Sequence, residues 1–82
     1  MINEAKVIEI VIDALQIDSH LISIDSSSEN TEEWDSLAHL TILVELDRYL
    51  EGRASKINAL AAATSVQLIL DILAKNDLKS DG

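Results

Sequence analysis

Apolar residues recur along this chain at intervals of three and four in three separate stretches, and nowhere at a sustained interval of two. In the first, Ala5, Ile8, Val11, Ile12 and Leu15 fall at helical spacing, with Glu4, Lys6, Glu9, Asp13 and Gln16 mostly on other faces. Asn3 stands where an N-cap would, its side-chain oxygen able to accept from a first-turn N–H. Ile2 and Val7 flank it at the positions of a hydrophobic staple. Val7, Ile10 and Ile12 are β-branched and locally favour a strand, but the length and acidic interleaving of the pattern favour a helix. The second stretch, 36–51, carries a broad apolar stripe of Leu37, Leu40, Leu43, Val44, Leu46 and Leu50, and Gly52 follows where a C′ glycine would close a helix. The third opens at Thr64-Ser65, with Thr64 and Gln67 at capping-box spacing and Val66, Ile69, Leu70 and Leu73 along one face. Between the last two, Ile57, Leu60 and Ala61 predict a short extra helix packed crosswise. The pattern therefore predicts an all-α chain of three main helices and a short one, a single domain over 1–82 whose polar tail, 75–82, frays.

The segment from Ile17 to Asp35 has no sustained pattern. A loop of that length in a compact domain is uncommon and usually functional. Leu21, Ile22 and Ile24 are expected to pin its first half to the core; its second half, from Asp25 to Asp35, is acidic and polar.

Composition narrows the function classes. Fifteen acids against six bases give a net charge of −9, which argues against nucleic acid or an anionic membrane as partner and favours a basic protein surface. The charge is uneven: residues 1–51 hold twelve acids and two bases, net −10, and residues 52–82 hold three acids and four bases, net +1. The absence of Cys excludes disulfides and protein-borne thiol chemistry. The start of the chain does not read as a secretory signal, and the apolar runs fall far below the roughly twenty residues needed to span a bilayer. A cytoplasmic protein is the expectation.

The candidate chemistry lies at Trp34-Asp35-Ser36-Leu37, where loop meets second helix. A hydroxyl at the start of a helix sits beside unpaired first-turn N–H groups and the positive end of the helix dipole, so an anion attached to Ser36 would be stabilised there. A phosphate-linked group is the natural candidate. Taken alone, Ser36 is an ordinary first-turn serine, and Asp35 an ordinary helix cap. Ser36, His39 and Asp35 invite comparison with a catalytic triad, but an i, i+3 pair on an exposed helix lacks a shaped oxyanion hole. Hydrolysis is not expected, and His39 is read as a solvent-side residue beside Ser36. Asp25, Glu29, Glu32, Glu33, Asp35 and His20 match no metal-site spacing, so no metal is expected. Trp34 and Tyr49, the only aromatics, are read as core or rim packing.

Asp35-Ser36-Leu37, opening an apolar helix near the middle of an acidic helical chain of this length, resembles the acyl carrier protein family. The resemblance spans the first helix, long loop, motif helix, short third helix and the last helix introduced by Thr64-Ser65-Val66. It implies a four-helix bundle with a long loop between helices one and two. It also implies that Ser36 carries 4′-phosphopantetheine, transferred from coenzyme A by a phosphopantetheinyl transferase that recognises Asp35 among other features. The arm's thiol would hold acyl or aminoacyl groups as thioesters, which accounts for a carrier without Cys. Partners would be acyl- or aminoacyl-activating and acyl-transferring enzymes, docking on Leu37, Glu45, Asp47 and Arg48. The protein would be a monomer and not itself an enzyme. Trp34 stands where many fatty-acid carriers have a small residue, and Ala38, Thr41 and Arg48 thin the acidic face of the motif helix. Both departures resemble specialised carriers rather than those of bulk fatty-acid synthesis. The alternative reading is an unmodified, carrier-like acidic adaptor for a basic partner protein.

Overall fold

A computed structural model describes residues 2–79. It is all-α, with helices α1 (Glu4–Leu15), α2 (Ser36–Tyr49) and α3 (Val66–Lys75), and short 3₁₀ turns at Ser19–Leu21, Ala54–Lys56 and Asn58–Ala62. α1 packs against both α2 and α3, around one aliphatic core that includes Val7, Val11, Ile42, Leu46, Ile69 and Leu73.

The helix starts follow the local chemistry. Asn3 Oδ1 accepts from the Lys6 N–H at 2.8 Å, and Ile2 and Val7 are both fully buried, as a staple requires. At α3 the cap is Ser65 rather than Thr64: Ser65 Oγ accepts from the Leu68 N–H at 3.0 Å. Gln67 closes no box with Thr64 but donates to Asp71 one turn ahead at 2.8 Å.

The helix ends share a device that a chain with two glycines has to improvise. Gln16, Glu51 and Asp77 follow α1, α2 and α3 with φ of 55°, 56° and 59°. After α2, the Glu51 N–H bonds the Arg48 carbonyl and the Gly52 N–H the Asp47 carbonyl, a Schellman closure. Gly52, expected as the first left-handed residue, is one place later at φ 88°, with Glu51 ahead of it. After α3, the Asp77 N–H reaches Ala74 and the Leu78 N–H reaches Leu73, and Leu78 and Leu73 are both buried. Left-handed backbone costs a residue with a Cβ about 1–2 kcal/mol. Gln16→Gly is therefore expected to raise stability by about 0.5–1 kcal/mol after its own entropy loss, measured by urea unfolding. A loss of stability would contradict it.

The expected frayed tail is corrected over 75–79, where Lys75 is the last residue of α3. Leu78 seats in the core, its carbonyl accepts from the Ile2 N–H at 2.9 Å, and Ile2 and Lys79 form a parallel bridge. The rest of that expectation, 80–82, lies outside the described residues. The short helix expected between Arg53 and Ala63 is two 3₁₀ turns, Ala54–Lys56 and Asn58–Ala62, set by bonds from the Ile57, Leu60 and Ala63 N–H groups to carbonyls three residues back. Leu60 is buried there, Ile57 is half-buried and Ala61 is exposed.

The long loop is an ordered strap. Ile22 is buried and Ile24 half-buried as expected, but Leu21 is exposed. Asn30 organises the polar half: its Oδ1 accepts from the Ser27 N–H at 2.9 Å and its Nδ2 donates to the Asp25 carbonyl at 3.0 Å. The strap is tied to the start of α3 by Ser28 N–H to Thr64 carbonyl at 2.9 Å and Val66 N–H to Ser26 carbonyl at 3.0 Å. It ends on Trp34, which is buried as core or rim packing predicts.

Candidate functional site

Ser36 is the first residue of α2 and is exposed. Asp35 caps the helix, its Oδ1 accepting from the Ala38 N–H at 2.8 Å while its carbonyl accepts from the His39 N–H at 2.9 Å. The first N–H groups of the helix have no carbonyl four residues back, so the Ser36 hydroxyl lies at a donor-rich, electropositive end. Beside it opens a cleft of about 580 Å³ whose lining includes Trp34, Ser36, His39, Leu40, Leu43 and Ala61. A second hollow of about 480 Å³ lies further along α2 and shares Leu43 and Ala61 with the first. Together they line the seam between α2 and the 54–62 segment with mainly apolar walls.

His39 is not on the solvent side. It is 6 % exposed, and its ring bonds in two directions: Nδ1 accepts from the Trp34 Nε1–H at 3.1 Å, and Nε2 lies 3.0 Å from the Leu60 carbonyl oxygen. The Trp34 and His39 rings stack at 6.2 Å between centroids. With the ring committed to structure, it is not placed as a base for Ser36.

The broad apolar stripe of α2 divides into two faces. Ile42, Leu46 and Leu50 are buried with His39, whereas Leu37, Leu40 and Val44 are exposed, Leu37 by 74 %. Thr41 and Arg48 are exposed on the same outward strip. Of the four residues expected to meet partners, Leu37 and Arg48 share this strip and Glu45 and Asp47 flank it on opposite sides. Both flanking carboxylates are half-buried and engaged within the fold. Asp47 Oδ1 accepts from the Ser55 N–H at 2.8 Å and anchors the 54–62 segment. Glu45 faces Asp13 of α1, and its Oε2 is buried without a hydrogen-bond partner. The strip leading from Ser36 is thus mainly apolar with one cation, and the carboxylates expected to meet partners lie at its flanks.

Glu45 is pushed up from an ordinary 4.5 to about 7, chiefly by burial and then by the neighbouring Asp13 carboxyl; Arg48 and Lys6 oppose the rise. A carboxyl raised in the folded state contributes stability that is full below its unfolded value and lost as pH rises through the folded value. Stability is therefore expected to fall between about pH 4.5 and 8. The Glu45 share is on the order of 1–2 kcal/mol after solvent screening of a half-buried group. Glu45→Gln, which mimics the protonated form, is expected to flatten that fall in urea unfolding at pH 5 and pH 8. Parallel pH profiles would contradict the assignment.

Among the described residues, no three His, Asp or Glu side chains come together to hold a metal ion, and no helix is long and apolar enough to cross a membrane. Comparison with protein-family models, curated proteins and solved structures returned no significant match.

Proposed function

We propose that this chain is a discrete acyl or aminoacyl carrier, a four-helix bundle of the acyl carrier protein type whose third helix is reduced to the turns at 54–62. Ser36 bears 4′-phosphopantetheine. In the attachment reaction the Ser36 Oγ–P bond forms, the coenzyme A phosphoanhydride P–O bond breaks, and adenosine 3′,5′-bisphosphate leaves. The carrying observation is an exposed serine at the first position of a capped helix, on the lip of an apolar-walled cleft. The residues present suit the group. First-turn N–H groups favour the phosphate, and the hydroxyl is accessible to a transferase. The bound arm supplies the thiol that a chain without Cys lacks.

On this reading the protein is a monomer in the cytoplasm, positions rather than catalyses, and binds neither nucleic acid nor membrane. Its partners are the phosphopantetheinyl transferase and the enzymes that activate or transfer the acyl or aminoacyl group. They meet Leu37 and Arg48 on the exposed strip of α2. The acidic flank contributes long-range attraction rather than direct pairing, since Glu45 and Asp47 are spent inside the fold.

The exposed Leu37, Leu40 and Val44 favour one further reading, an unmodified adaptor that uses this strip to bind a partner. Incubation with coenzyme A and a broad-specificity transferase separates the two. A carrier gains one phosphopantetheine per chain; an adaptor gains none and binds its partner unmodified.

A further inference from the structure

His39 is the most buried titratable side chain near Ser36, and the carrier reading gives it no task. Its two bonds determine its chemical state. An indole N–H can only donate, so Nδ1, which faces the Trp34 Nε1–H, must carry a lone pair. A carbonyl can only accept, so Nε2, which faces the Leu60 oxygen, must carry the proton. Both bonds exist together only in the neutral ring protonated on Nε2.

The three elements joined are those that frame the cleft. Trp34 ends the long strap, His39 belongs to the first turn and a half of α2, and Leu60 belongs to the 54–62 segment 21 residues on. We propose that neutral His39 is a lock that holds strap, α2 and the 54–62 segment together beneath Ser36, and that acid releases it. A second proton on Nδ1 sets N–H against the Trp34 N–H, two donors with no acceptor between them. The surroundings offer the resulting cation little. Asp35 is the one charged residue lining the cleft, and its Oδ1 already accepts from the Ala38 N–H. Glu32 and Glu33 on the strap are exposed, and 57–63 contain no acid or base. Protonation therefore frees Trp34, loosens the strap at Asp35-Ser36 and widens the cleft. This inference stands whether or not Ser36 carries an arm.

The test is a pH titration of the full chain by imidazole ¹⁵N NMR, the Trp34 indole N–H resonance and Trp34 fluorescence, with circular dichroism recording helix content. At pH 7 His39 is expected as the neutral tautomer protonated on Nε2. On acidification the Trp34 signals are expected to shift with the His39 midpoint while helix content holds. That transition is expected to survive in His20→Gln and to be lost in His39→Gln. Should His39→Gln not fold, the wild-type spectra and His20→Gln decide. A ring protonated on Nδ1 at pH 7, Trp34 signals that stay fixed through the His39 titration, a transition that persists in folded His39→Gln, or one seen only with loss of helix would overturn the proposal.

Discussion

Leu46→Ala is expected to lower the unfolding free energy by about 2–5 kcal/mol. Leu37→Ala, Leu40→Ala and Val44→Ala should each stay within about 0.5 kcal/mol. All four residues lie on α2 and look alike in sequence, but Leu46 is fully buried whereas Leu37, Leu40 and Val44 are more than half exposed. Truncating Leu46 removes transfer free energy and leaves a cavity that close-packed neighbours fill only in part. A domain of this size has a total stability of roughly 4–12 kcal/mol, so the loss is a large share of the whole. Urea unfolding followed by circular dichroism measures the contrast. Similar costs for Leu46 and Leu37 would contradict the division of α2 into a core face and an outward face.

That division marks where the sequence stopped being legible. Spacing of three and four located the three α-helices, because burying one face of a helix is a local constraint that leaves a periodic trace. The caps at Asn3 and Asp35 were legible for the same reason: each acts on an N–H three residues away. Leu37, Leu40 and Val44 blurred the second helix because hydrophobicity does not say whether a residue faces its own core or the solvent. The tail was misread because Leu78 is a lone apolar residue among polar ones, and its seat is supplied by Ile2 from the other end of the chain. His39 could not be placed locally, since one of its two partners lies 21 residues downstream. Glu45 and Asp47 read as surface acids because their engagements, with Asp13 on α1 and with the Ser55 N–H, depend on tertiary packing.

The placement of Ser36 was the most legible part of the site. An acidic loop, a capping Asp and an apolar helix put a hydroxyl at a helix start, and the chain folds with that serine exposed as the first residue of α2. The structure adds a cleft beside it, with His39 and Trp34 contributing to its lining.

Ser36→Ala is therefore expected to abolish loading completely while leaving the fold intact, since an exposed first-turn hydroxyl supports no core contact and Asp35 keeps the cap. The measurement is the intact mass of wild type and Ser36→Ala after incubation with coenzyme A and a broad-specificity phosphopantetheinyl transferase, with circular dichroism confirming equal helix content. A single phosphopantetheine is expected on wild type and none on Ser36→Ala. An unmodified wild-type mass under conditions that load a control carrier, or equal modification of Ser36→Ala, would contradict the carrier reading.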